Sequence, residues 1–176
     1  MTIIDIAERM IRDGGYHSFS FRQIADELGI KSASIHYHFP SKDDLGEAVI
    51  ERYTENFMTA LSDPNAVAKP IQKYIAAFEG ALRDSERGCL CGVLSGEAGK
   101  LPEGIRDGLK KFTEENLAWL ESALMKQCPD WPKGKRKQIA LLVFSALEGA
   151  ISIAAMTERG EQLKAVGDSL KKLVSS

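Results

Sequence analysis

Apolar residues recur at helical spacing along most of this chain, and no stretch shows the strict alternation that a half-buried strand requires. Ile3, Ile6, Ala7, Met10 and Ile11 predict a helix over 2–13 that stops at Gly14-Gly15. Phe21, Ile24, Ala25 and Leu28 fall at i, i+3, i+4 and i+7. Ser20 and Gln23 ahead of that stripe form a capping-box pattern, and Gly29 supplies the left-handed residue that ends it. A short helix over 32–39 buries Ile35 and Phe39. Ser41 with Asp44 then opens a long helix carrying Leu45, Ala48, Val49, Tyr53, Phe57 and Leu61. Beyond the break at Ser62-Asp63-Pro64-Asn65, the pattern predicts helices over 67–84, 90–100, 102–127, 135–159 and 161–174, with a loop at 128–132. The expectation is an all-α chain of about nine helices. Its N-terminal three-helix unit covers 1–45 and a C-terminal helical domain covers 46–176, with helix 4 as connector.

The second and third helices, joined by the Gly29 turn, have the layout of a helix-turn-helix, and the chemistry around them suits DNA. Ser32, Ser34, His36, Tyr37 and His38 can donate to phosphates and base edges. Lys42 stands in the first turn of helix 4, where a cation opposes the helix dipole unless a phosphate faces it. Charge runs the other way in bulk. Residues 1–53 hold six Lys/Arg and nine Asp/Glu, a net −3 within the overall −2. No carboxylate interrupts 29–41, however, and hydroxyls and backbone amides hold phosphates without net positive charge. Tight binding is expected only from a dimer, with a modest salt dependence.

The segment 139–156 is apolar or small on nearly every face. Such a helix must be buried on all sides, so one face is expected to meet the domain core and the other a second copy of the chain. Leu141, Ser145, Gly149, Ser152 and Ile153 are the candidate interface. Its Ala, Gly and Ser content argues for a buried helix rather than a membrane span. The amphipathic start of the chain is unlike a signal peptide, so the expected compartment is the cytoplasm.

Three motifs now carry a family resemblance: Phe19-Ser20-Phe21-Arg22-Gln23-Ile24-Ala25, Ser34-Ile35-His36-Tyr37-His38-Phe39, and Pro40-Ser41-Lys42-Asp43-Asp44-Leu45. Together with Leu28-Gly29-Ile30, they make residues 3–57 resemble the N-terminal domain of the tetracycline-repressor (TetR) family of bacterial transcriptional regulators. Gly88-Cys89-Leu90 with Glu97, and Trp119 in a long helix, resemble one branch of that family. The resemblance implies a ligand-responsive homodimer, most often a repressor, whose paired heads read a palindromic operator in double-stranded DNA. A small-molecule effector in the C-terminal domain would release it. By position, Ser32, Ala33, Ser34, His36 and Tyr37 would face bases and backbone, while Arg22, His38 and Lys42 would hold phosphates. Two departures stand out. Lys31 occupies the place where relatives often have a capping serine, and no basic segment precedes helix 1.

Other side chains suggest other chemistries. His36 and His38 point about 200° apart on a helix, so no metal site is expected. No nucleophile–base pair, phosphate loop or cofactor motif is present, which leaves an enzyme with an appended helix-turn-helix without support, and no catalytic residue or cofactor is expected. Cys89 and Cys91 leave open a thiol-based redox or electrophile sensor on the same scaffold. Glu97 and Glu148 are carboxylates among apolar residues, able to hold an effector or to pair with Arg87 or Arg106. Phe78, Leu94, Phe112, Trp119 and Phe144 complete the candidate effector set. The basic run 133–137 is read as a solvated helix start.

Overall fold

The computed structural model describes residues 2–85 and 88–175, and among these it contains nine α-helices and no strand. They are α1 (Ile3–Gly14), α2 (Phe21–Leu28), α3 (Ser32–His38), α4 (Lys42–Leu61), α5 (Pro70–Ser85), α6 (Leu90–Ser95), α7 (Glu103–Gln127), α8 (Lys133–Thr157) and α9 (Glu161–Leu173). Short 3-10 turns cover Tyr16–Ser18 and Ala98–Lys100.

Helix ends follow local chemistry. Thr2 caps α1 with a full capping box, its hydroxyl accepting from Asp5 N while its own N–H donates to Asp5 Oδ2. Ser41 and Asp44 form the same reciprocal pair at the start of α4. At α2 only half of the expected box is made. Ser20 Oγ accepts from Gln23 N, but the Gln23 carbonyl takes the serine's own proton instead of capping its backbone. Gly29 closes α2 at φ 68°, as a left-handed C-terminal residue should. Lys31 is the N-cap of α3 and gives no side-chain cap, so that helix starts uncapped.

Three boundaries differ from the sequence pattern. The helix expected over 67–84 begins only at Pro70, where the fixed φ of proline suits the first helical position. The one expected over 90–100 is two pieces, with α6 stopping at Ser95 before a 3-10 turn. α8 starts at Lys133, directly after Pro132, rather than at 135.

The chain forms two compact units: Met1–Glu55 with Leu90–Lys111, and Asn56–Cys89 with Phe112–Ser176. The first unit takes in residues 42–55 of α4, all of α6 and the start of α7. α6 packs against α1 there. In that unit Arg52 holds Asp5 at 2.6 Å and Glu8 at 3.0 Å, tying α4 to α1. Gly46 has no room for a side chain, since a Cβ would lie 2.8 Å from Ile105 Cδ1 and 2.9 Å from the Tyr16 ring.

The second unit is built on aromatic packing among Phe57, Tyr74, Phe78 and Phe112, with ring centroids 5.5–6.1 Å apart. Trp119 stacks on Tyr74 and its indole N–H donates to Ser62 O at 2.7 Å. α8 and α9 pack on each other and on α5. By length and composition α8 could cross a membrane. One stripe of it (Ala140, Val143, Leu147, Ala150, Ile151, Ala154) lies in the core of this unit. Its opposite stripe is open: Leu141 is 54% exposed, Ile153 47% and Met156 78%.

Candidate nucleic-acid interface and effector site

α3 is seven residues long and buries only Ile35. That single anchor, with Phe21 and Ile24 of α2 in the same small core, leaves the rest of the helix facing outward. Ala33, Ser34, His36, Tyr37 and His38 are exposed and Ser32 half-buried. Tyr37 is 85% exposed, an uncommon position for an aromatic ring, with the edge of His38 5.1 Å away. His36 packs edge-on against Phe21 at 4.6 Å, which sets its ring direction without covering it. On α2, Arg22 is exposed and makes only a 4.0 Å contact with Asp26, so its guanidinium can move to a phosphate.

Lys42 is placed differently from a simple surface lysine. Its Nζ lies 4.4 Å from the Phe19 ring centre and 5.1 Å from that of Tyr16. Burial lowers its pKa, partly offset by Asp43. Tyr16 donates a hydrogen bond to Asp43 Oδ1, and burial, then Asp43, raises the phenol well above its ordinary range. The rings therefore hold the ammonium at the head of α4. Lys31, exposed at the head of α3, is absent from the candidates drawn from sequence. The dipole argument applied to Lys42 would have found it, because it too is a cation at a helix start.

The effector candidates divide between the units. Leu94 and Glu97 belong to the first, where Leu94 is fully buried and the Glu97 carboxylate lies directly on Gly15; a Cβ there would sit 1.8 Å from Oε1. Phe78, Phe112, Trp119, Phe144 and Glu148 belong to the second. Phe112 and Phe144 are 6.2 Å apart, and Phe78 and Trp119 both lie against Tyr74. Both Glu148 carboxyl oxygens are shielded from solvent with no hydrogen-bond partner. Burial, and then the adjacent Cys89 sulfur, push its pKa up to about 10. Tyr74, which the sequence pattern does not single out, is fully buried and feels both Glu148 and Cys89. Arg87, a possible partner for these carboxylates by sequence, lies outside the described residues. An open cleft of about 790 Å³ in this unit is lined by Leu82, Arg83, Ala154, Ala155, Glu158 and Gly160, none of them a sequence candidate.

Cys89 and Cys91 are buried, and burial raises the pKa of Cys128, whose Sγ lies 3.4 Å from Val174 O. In the 133–137 run, Lys135 sits 3.7 Å over the Trp131 ring and Arg136 donates to the Trp131 carbonyl. Among the described residues no three His, Cys, Asp or Glu side chains converge as a metal-ligand set.

Comparison with known proteins agrees with this geometry. Residues 3–49 match the family model "Bacterial regulatory proteins, tetR family", and residues 67–169 match "Transcriptional regulator LmrA/YxaF-like, C-terminal domain". The Bacillus subtilis HTH-type transcriptional regulator YxaF is 26% identical, covering 98% of this chain and 93% of its own. A TetR transcriptional regulator from Legionella pneumophila superposes with TM-score 0.90 at 33% identity, over 97% of this chain and 94% of that one. Bacillus subtilis FadR in complex with stearoyl-CoA shares the fold, with TM-score 0.77 at 20% identity over 99% and 96% of the two chains. With a helix-turn-helix that exposes nearly all of its second helix and family matches over both halves, the chain belongs to the TetR family of DNA-binding transcriptional regulators.

Proposed function

We propose that the protein is a cytoplasmic homodimeric repressor that grips a palindromic operator with paired α3 helices and lets go when a small molecule enters its second unit. The observation that carries this is α3 itself, whose one buried side chain is Ile35 and whose Tyr37 stands 85% exposed. A helix that spends so little surface on its own core is available to a major groove. Ser32, Ala33, Ser34, His36 and Tyr37 read bases and backbone; Arg22, His38 and Lys42 hold phosphates. These residues fall within the 1–45 head.

The outward stripe of α8 supports the dimer. Leu141, Ser145, Gly149, Ser152 and Ile153 are all exposed, and a Cβ on Gly149 would meet nothing within 4 Å. A second copy covering that stripe would bury the exposed leucine and isoleucine at close approach. The effector is assigned to the second unit because that unit holds both the aromatic cluster and a shielded carboxyl group without a hydrogen-bond partner. A thiol switch has no such support, since Cys89 and Cys91 are both buried.

The test is a mobility-shift titration of the full-length protein against the DNA flanking its own gene. Saturable binding to a dyad-symmetric segment, with competition only by that segment, is the expected result. Equal affinity for unrelated duplexes of the same length would overturn the assignment.

A further inference from the structure

Tyr16 does more at the head of α4 than fill the core, on the reading that Lys42 holds a phosphate. It is 2% exposed and its ring is wedged in place. A Cβ on Gly46 would lie 2.9 Å from that ring, and Phe19 meets it edge-on at 5.9 Å. The Lys42 ammonium sits 5.1 Å from the ring centre, and the phenol hydroxyl donates to Oδ1 of the next residue, Asp43. One fixed side chain therefore meets both members of an adjacent pair of opposite charges. The other acids at this end of α4 are engaged elsewhere. Asp44 accepts from the Ser41 N–H and hydroxyl, and the Glu47 carboxylate is seated on Gly104, where a Cβ would lie 1.8 Å from Oε1. Asp43 is the acid within electrostatic range of Lys42, and it is exposed.

A carboxylate beside a phosphate-holding lysine opposes DNA in two ways. It competes for the ammonium, and it repels the phosphate directly. An ionised carboxylate only accepts hydrogen bonds, and an O–H donor to it makes one of the stronger kinds. We infer that the Tyr16 hydroxyl is a positioning group for DNA binding, which ties Asp43 back and so leaves the Lys42 ammonium free for a phosphate. The ring supplies the other half of the arrangement, since with Phe19 it seats the ammonium without pairing it to an anion. Burial, and then Asp43, raise the phenol well above its ordinary range, so the hydroxyl keeps its proton and stays a donor at neutral pH.

The test is a set of double-mutant cycles on the full-length protein, with the dyad-symmetric duplex from the DNA flanking its gene as the probe. Affinity is measured by fluorescence anisotropy between about 50 and 200 mM salt. Tyr16→Phe keeps the ring under Lys42 and removes only the hydroxyl. It should weaken binding about fivefold or more and lower the salt slope as Lys42→Ala does. The loss should vanish once Asp43 carries no charge: Tyr16→Phe with Asp43→Asn should bind within about twofold of Asp43→Asn alone. Tyr16→Phe should likewise cost less than about twofold in a Lys42→Ala background. Asp43→Asn by itself alters an exposed side chain and should bind at least as tightly as the parent, a check that does not depend on Tyr16→Phe folding. Tyr16→Phe binding like the parent, a loss of equal size in the Asp43→Asn background, or weaker binding by Asp43→Asn alone would each overturn the inference. Lys42→Ala separates the two levels. If it weakens binding while Tyr16→Phe does not, the positioning role alone fails; if it binds like the parent, the phosphate reading of Lys42 fails and the inference falls with it.

Discussion

The Tyr74 hydroxyl donates to Asn116 Oδ1 at 2.6 Å, and both residues are fully buried in the middle of an aromatic cluster. Asn116 Nδ2 in turn donates to Phe112 O at 2.8 Å, so the pair satisfies itself without water. Glu148, in the same unit, has no such arrangement. One buried polar group is therefore part of the framework, and the other is a shielded carboxyl without a hydrogen-bond partner.

Tyr74→Phe should destabilise the protein by about 1–3 kcal/mol, because it strands the Asn116 carbonyl oxygen without its donor. Urea denaturation followed by circular dichroism measures this. A variant as stable as the parent would show that the hydrogen bond contributes nothing net.

Glu148 should make stability fall as pH rises. Its folded-state pKa is raised to about 10, so the folded chain keeps a proton that the unfolded chain loses above the ordinary carboxyl range near 4.5. The contribution is full below that range and is lost as pH climbs toward 10, with a slope of at most about 1.4 kcal/mol per pH unit. Glu148→Gln removes the slope. The stability of this variant relative to the parent should therefore be greater at pH 8 than at pH 6 by roughly 1–3 kcal/mol. Equal differences at the two pH values would mean the carboxyl is not buried in its acid form.

Tyr37→Ala and Lys42→Ala should each weaken operator binding at least tenfold with helicity and dimer mass retained. Tyr37 is 85% exposed, so its removal leaves the fold of α3 alone. Lys42→Ala should also reduce the salt slope by about one, the signature of a lost phosphate contact. A Lys42→Ala slope equal to the parent's would confine that lysine to packing on Phe19 and Tyr16.

Gly149→Glu should split the dimer. A side chain at this position meets nothing within the chain, so any loss of mass from about twice 19.3 kDa in light scattering reports the partner contact and not misfolding. A variant that keeps the parent's mass would move the interface off this stripe.

Much of the fold could be read from residue spacing, and the places where it could not share a cause. The Ser41–Asp44 box, the Gly29 cap and the 3.6-residue stripes of α1 and α2 act within a few residues, so their signals survive in sequence. The placement of Glu97 on Gly15 depends on packing between residues 82 positions apart in the chain. The same holds for the aromatic seat of Lys42, where position 42 could be picked from the helix dipole but its neighbours Tyr16 and Phe19 could not. The two carboxylates could be named as candidates from sequence, yet only the structure distinguishes Glu148, in the second unit and shielded without a hydrogen-bond partner, from Glu97, in the first unit and seated on Gly15. Tyr74 carries no signal of its own, because an aromatic residue at helical spacing looks like any other core position.

The central claim, a dimer reading DNA through α3, is tested most directly by selecting bound duplexes from a random DNA pool with the full-length protein and again with Tyr37→Ala. The expected result is enrichment of one inverted repeat whose half-sites lie about one helical turn apart or a multiple of it, with the enrichment lost in the variant. Recovery of no consensus, or of a single unrepeated half-site selected equally well by Tyr37→Ala, would contradict that claim.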